Sequence, residues 1–488
     1  MLIAITSLGK WCRRGAGPAA ALVALALAAC SSTPGARQIF LPSPPKQTEQ
    51  MSAAQREHMR VLAAYGGAYE DAKLQAKLAG VVDRLVAASD RPDMAYRVTI
   101  LNSPAINAFA LPNGQLYVTR GLIGLANDSS ELASVLSHEM AHVVARHAAI
   151  REEQARRTEL IGGVKDMLSD PQVGAMALAR SKLALASFSR AQEFEAGGIG
   201  VGIAARAGFD PFGAARLLTS MGRNANLRAG GRGGDGRPTD FLSSHPATPE
   251  RVRNAQSAAR QYGAPGAGER DRATYLANLD GLIYGEDPVD GYVRGRRFLH
   301  PKLGFTFQAP EGFALDNTAQ AVLGLKDGSA QALRLDIVRI PPEQSLVEYL
   351  NSGWIENIED GSVEELMVNG FPAATATARS DQWAFRLYAI RFGSEVYRFI
   401  FAAKNRGGES DRSFRDCVNT FRRLSLAEIQ SVKPLRLRIV KVGPTDNAES
   451  LASHLAVIDH QVERFRVLNG LEGNERPKAG DLVKLIVE

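Results

Sequence analysis

Cysteine is nearly absent, with only Cys12, Cys30 and Cys417 in 488 residues. Thiols so few and so far apart exclude a disulfide framework, so the fold has to rest on a buried apolar core. A dominant charge is missing too. Lys and Arg number 58 against 52 Asp and Glu, and the net +6 includes Lys10, Arg13 and Arg14 near the N-terminus, so no nucleic-acid partner is implied. After Cys30 no run of about eighteen apolar residues occurs, which excludes a membrane-spanning helix there. No repeat of solenoid length is evident either. What remains is a chain with 45% apolar and 23% charged residues, ordinary for a globular protein of several domains.

The N-terminus has the make-up of an export signal: basic Lys10, Arg13 and Arg14, then an uncharged apolar stretch from Ala19 to Ala29. The following Leu27-Ala28-Ala29-Cys30 resembles a lipobox. That resemblance implies removal of residues 1–29 and a lipid on Cys30. Ser31 and Ser32 stand where an aspartate would signal inner-membrane retention, so the resemblance implies lipid anchoring in the outer membrane, on its periplasmic side. Residues 30–50, rich in Ser, Pro and Gln, are expected to be a flexible tether.

Periodicity divides the rest. A helix is expected over 71–88, strands over 96–101 and 106–119 with a Pro112-Asn113-Gly114 turn, and a helix capped by Asn127-Asp128. Further helices are expected over 181–206, 211–221 and 249–262, with a Gly/Arg-rich loop at 228–237 suited to a lid. Residues 51–262 form the expected catalytic domain, mostly helical with a small antiparallel sheet, and 263–295 a linker segment. Alternating strands at 303–308, 333–340, 383–391 and 395–401, with helices at 345–355 and 411–423, predict an α+β domain over 296–425. Its opening HPKLGFTFQAPEGF resembles PsbP/Mog-type modules. Residues 430–488 read as a βααβ unit whose FRVLNGL and KAGDLVKLIV are similar to part of a LysM module, which implies peptidoglycan as a further partner. The fold class expected for the whole is α+β.

The chemistry is concentrated in His138-Glu139-Met140-Ala141-His142, inside the best helical pattern of the chain. Residues four apart lie about 40° apart in projection and roughly 6 Å apart along the axis, so both imidazoles can meet one metal ion. Glu139, beside the first ligand, can reach a metal-bound water and act as general base. A catalytic zinc needs a third protein ligand and one open position. The metzincin spacing is excluded by Ala145 and Ala148. On a continuous helix His147 would face roughly away from His138, so it is expected to be structural or exposed. Downstream, Ser189-Arg190-Ala191-Gln192-Glu193-Phe194-Glu195-Ala196 offers two acids.

HEMAH together with SRAQEFEA resembles the metallopeptidase family of the CAAX prenyl protease, the heat-shock protease HtpX and the β-barrel assembly-enhancing protease. The resemblance implies a gluzincin-type zinc endopeptidase in which Glu193 completes the shell with His138 and His142. Glu195, about 200° further round the helix, cannot share that face and is expected to be solvated or ion-paired. One departure is Gly197, where the family has an aspartate that orients a ligand. INAFALPNGQLYVTRGL resembles the family's strand beside the active-site helix, which implies that Asn107, Ala108, Phe109 and Ala110 hold substrate along a sheet edge. HPATPER places His245 and Arg251 where the family has residues near the metal. His245 then either stabilises the reaction intermediate or fills the open position of zinc. The substrates implied are unfolded or misassembled envelope proteins. The rival reading is a catalytically weak scaffold, chaperone or wall-binding adaptor.

Overall fold

The computed structural model describes residues 52–151, 153, 188–230, 241–245, 248–319, 321–326, 331–355, 357–380, 383–404, 408–457 and 459–488. Cys30, the export signal, the tether and most of the proposed lid loop lie outside them. No described helix is long and apolar enough to cross a membrane.

The chain opens with α1 (Ala53–Ala64) and α2 (Ala72–Ala88). Asp71 caps α2 by accepting the Leu74 amide at 2.9 Å, and Leu74, Leu78, Val81, Val82 and Leu85 form its buried stripe. Next come β1 (Arg97–Leu101), β2 (Ala108–Ala110) and β3 (Gln115–Thr119), in the spatial order β1-β3-β2. β2 and β3 form the expected hairpin, and Gly114 takes the positive φ of 82° that the turn requires. The sheet is mixed, however, and not antiparallel as expected. β1 runs parallel to β3, because the 102–107 segment carries the chain past the central strand before it turns back.

α3 (Arg120–Leu125) leads into α4 (Ser129–Val144), which Asp128 caps. Every residue of α4 from Ser129 to His142 is buried. A helix buried all round is a core helix, so HEMAH lies in the interior. After the undescribed stretch comes α5 (Arg190–Arg206), started by a capping box between Ser189 and Gln192. α5 crosses α4 closely because it is lined with small residues. A Cβ on Gly200 would stand 3.0 Å from both the N and Cα of His138, tighter than nine in ten real contacts of this kind. Two turns separate Gly200 from Glu193, so the face that touches α4 is the face that carries the carboxylate.

α6 (Gly213–Gly230), the short α7 (Phe241–Ser244) and α8 (Pro249–Arg260) close over this pair. The expected linker segment contains α9 (Arg272–Ala277) and belongs to the core: Tyr275, Leu276, Leu279 and Leu282 are buried in it, and Tyr275 donates to the Ile123 carbonyl at 2.7 Å.

The α+β region begins earlier than expected, at β4 (Tyr292–Arg294). With β5 (Arg297–His300), β6 (Phe305–Gln308) and a late strand, β4 makes a four-stranded sheet. β7 (Phe313–Asn317), β8 (Val322–Lys326), β9 (Gln331–Val338), then α10 (Leu346–Leu350), β10 (Glu364–Val368), β11 (Phe371–Arg379), β12 (Ala384–Phe392) and β13 (Glu395–Ala403) follow. These seven strands pair antiparallel in the order β10-β11-β12-β13-β9-β8-β7. α11 (Gly408–Asn419), β14 (Arg422–Arg423) and α12 (Leu426–Ser431) end the region, β14 joining the four-stranded sheet. An aromatic core including Phe298, Phe305, Phe399, Phe401 and Phe421 fills it.

The C-terminus is β15 (Arg436–Lys441), α13 (Ala448–Ala452), α14 (Gln461–Leu468) and β16 (Leu482–Val487), a βααβ unit as expected. Its apolar residues Leu437, Phe465, Leu468 and Ile486 join the same buried cluster as the core residues of α4.

Candidate metal centre

α4 brings His138 and His142 to one face, and α5 brings Glu193 against them in its first turn. His138 Nε2 and His142 Nε2 are 3.1 Å apart, and each is 3.5 Å from an oxygen of Glu193. His245, just after α7, puts Nδ1 3.4 Å from His138 Nε2 and 2.7 Å from Glu193 Oε1. Ligands held at roughly 2.0–2.1 Å around a tetrahedral zinc stand about 3.3 Å from one another. The four buried side chains, whose donor atoms all lie within 4.8 Å of one another, therefore fit one such ion. His147 is not among them.

Electrostatics agrees with a ligand set. Burial pushes His138 down to about 3 and His142 down to about 4, so both imidazoles are neutral with a lone pair to give. Burial alone would raise Glu193, but the close imidazole nitrogens of His138, His142 and His245 prevail and hold it far below the usual carboxylate range. Arg251, near the start of α8, pairs with Glu193 Oε2 at 2.9 Å. Burial pushes Glu139 up to about 7, and its Oε1 makes no hydrogen bond among the described residues. His245 Nε2 is 3.7 Å from that oxygen.

The expected substrate edge is placed unevenly. β2 is the outer strand of its sheet. Phe109, Ala110 and Leu111 line a cavity of about 560 Å³ together with Glu139, His142 and His245. Asn107 is turned inward: its amide and carbonyl are bonded to Thr119, and its side chain donates to the Tyr65 hydroxyl at 3.0 Å. Ala108 is 1% exposed, so only the far end of the segment faces the cleft. Gly197 borders a small cavity of about 40 Å³ beside His138, Arg251 and Asn254. A side chain there would have room, since its Cβ would meet only Asn254 Nδ2 at 3.9 Å.

Three contacts escaped the sequence reading. His147 is 1% exposed and bonds His142, Phe188 stacks on His142 with centroids 3.9 Å apart, and Phe241 stacks on His245 at 4.5 Å. The helical projection failed for His147 because α4 stops at Val144 and Arg146 turns left-handed, with φ 56°. Nothing local in Ala145-Arg146 signals that stop. The Glu195 side chain is 59% exposed, and its Oε2 lies 3.2 Å from His147 Nε2.

Two helices that hold a His-x-x-x-His pair and a buried glutamate around one point, with a second glutamate beside it, have the arrangement of a gluzincin-type metal site. Residues 72–259 match the model of peptidase family M48. The chain is 29% identical over 275 residues to the beta-barrel assembly-enhancing protease of Escherichia coli (strain K12), covering 52% of this chain and 55% of that one. It is 30% identical over 207 residues to the mitochondrial metalloendopeptidase OMA1 of Schizosaccharomyces pombe, covering 42% and 59%. The chain thus spans about half the length of the curated relatives it matches. Among solved structures, the cyanobacterial PsbP of Synechocystis sp. PCC 6803 aligns at 15% identity over 29% of this chain and 98% of its own, with a TM-score of 0.22, too low to bear on the fold.

Proposed function

We propose that the protein is a zinc-dependent endopeptidase of the cell envelope that hydrolyses peptide bonds in unfolded or misassembled proteins. One observation carries the reading: the donor atoms of His138, His142 and Glu193 converge within 3.5 Å of one another while a free carboxylate oxygen of Glu139 lies beside them. Zinc bound by these three would supply Lewis acidity toward a water and the scissile carbonyl. Glu139 Oε1 takes the proton of the attacking water and returns it to the departing amine. Arg251 keeps Glu193 ionised and aimed at the ion. An extended substrate lies along Phe109 to Leu111, adding a strand to the edge of β2.

His245 fills the fourth position of the shell and holds the enzyme latent, because a zinc with four protein ligands keeps no site for water. The lipid on Cys30, the outer-membrane address and a peptidoglycan partner belong to the same proposal. The relatives' printed role in β-barrel assembly supports the envelope setting.

The deciding experiment pairs zinc content with cleavage of an unfolded protein such as casein. Placed in the unlatched His245→Ala background, Glu139→Gln retains about one zinc per chain and loses roughly 10²–10⁴-fold in rate. Undiminished cleavage by that variant removes the mechanism.

A further inference from the structure

Beyond the ligands, a chain of hydrogen bonds leads from His142 to the protein surface. The left-handed residue Arg146 folds the chain back after α4, so that His147 lies against the far edge of the His142 ring. His147 Nδ1 is 2.9 Å from His142 Nδ1, and His147 Nε2 is 3.2 Å from Glu195 Oε2. Two facing ring nitrogens bond only if one carries a proton and the other a lone pair.

The ligand geometry fixes which is which. His142 Nε2 points at His138 Nε2 and Glu193 Oε1, so its lone pair is directed to the metal position and its proton sits on Nδ1. His147 Nδ1 accepts that proton's hydrogen bond, which puts the proton of His147 on Nε2, where it is donated to Glu195. Every donor in the series meets one acceptor, and the series has a single direction: metal position, His142, His147, Glu195. Phe188, stacked on His142 at an interplanar angle of 26°, fixes the plane of the same ring.

We propose that His147 and Glu195 are positioning residues that set the tautomer and orientation of His142 as a metal ligand. The proposal rests on the reading that His138, His142 and Glu193 hold zinc. Partners of this kind typically contribute 10–100-fold to metal affinity. The sequence gives no hint of it, because Glu195 faces away from Glu193 on α5 and His147 lies beyond the end of α4. Only the backbone reversal at Arg146 brings them together.

The test measures zinc affinity of the full-length protein by competition with a chromogenic chelator, and the visible spectrum of its cobalt-substituted form. His147→Ala should weaken zinc binding about 10–100-fold and shift the cobalt bands. His147→Gln, whose amide can accept from His142 and donate to Glu195, should restore affinity to within about threefold of the parent. Glu195→Ala, on a side chain that is 59% exposed, leaves folding intact and should weaken zinc binding by about threefold or more, which decides the matter if His147→Ala fails to fold. Equal losses in His147→Ala and His147→Gln, or parental zinc affinity and cobalt bands in Glu195→Ala, overturn the proposal. A parent that binds no zinc overturns the metal centre and the relay together. Zinc binding without casein cleavage in both the parent and His245→Ala removes only the peptidase reading.

Discussion

His245 is the residue on which latency and catalysis part. Its Nδ1 lies 2.7 Å from Glu193 Oε1 and 3.4 Å from His138 Nε2, a spacing suited to a fellow ligand. Its Nε2 is 3.7 Å from Glu139 Oε1, so the same ring also crowds the base. His245→Ala should therefore raise the rate of casein cleavage at unchanged zinc content, because it opens the fourth position while three ligands remain. A fall in rate, measured on protein of equal zinc content, would return His245 to the role of a helper in the reaction. The proposed ligands were legible in different ways, the His138–His142 pair through helical spacing, which is local, and Glu193 only through the resemblance of its segment to the family. The contact of His147 with His142 was not legible for the converse reason: its position depends on where a helix stops, and the stop at Val144 is set by packing and by the left-handed Arg146.

At the scale of elements, the crossing of α4 and α5 decides whether ligands from two helices can meet. Gly200 and Gly198 lie on one helix but face different surroundings: a Cβ on Gly200 meets the His138 backbone at 3.0 Å, and one on Gly198 meets nothing within 4 Å. Replacing either by alanine gains about 0.8–1.0 kcal/mol of helix propensity. At Gly200 the added methyl meets main chain that cannot rotate away, and overpacking of this kind costs about 1–3 kcal/mol, so the clash prevails. Gly200→Ala should lower stability in urea and weaken zinc binding, whereas Gly198→Ala should raise stability and leave zinc binding alone. Equal behaviour of the two variants would mean that helix contact does not set the site. A second element carries a pH signature. His300, in β5, accepts the Leu303 amide at Nδ1, and burial pushes it down to about 4. Because the folded value lies below the unfolded one of about 6.5, its contribution is intact above pH 6.5 and is lost as pH falls toward 4. His300→Asn should flatten that part of the unfolding midpoint's pH dependence, and an unchanged curve would refute the assignment. The elements that sequence missed are those whose identity comes from partners. β11 reads Phe371-Pro372-Ala373-Ala374-Thr375-Ala376-Thr377-Ala378, small residues with no large apolar alternation, and it is a strand because β10 and β12 pair with it. α1 has a single buried residue, Val61, too little for a periodic stripe.

Across the whole molecule, the C-terminal unit shares the core that carries the proposed site. Lys484, on β16, is fully buried, and its ammonium donates to the carbonyls of Gly124, Leu125 and Ala126 at 2.9–3.1 Å. These are acceptors left open where α3 ends. Nearby, Asp128 pairs with Arg216 at 3.3 Å and with Arg270 at 2.8 Å, so residues from three regions converge on the start of α4. Leu437, Phe465, Leu468 and Ile486 extend the same apolar cluster. A wall-binding module appended by a linker would be removable without consequence for the enzyme. A unit sharing the core would not, since each fully buried side chain of this size contributes about 1.5–3 kcal/mol against a total stability of only about 5–15 kcal/mol. Deleting residues 430–488 should therefore abolish the cooperative unfolding transition of the peptidase domain and its zinc binding. Lys484→Met, which keeps bulk but removes the donors, should cost about 1–3 kcal/mol for the stranded carbonyls. If the deletion instead leaves the thermal midpoint and zinc content intact, the unit is an independent module, and retention on purified peptidoglycan becomes the measurement that explains why the chain carries it.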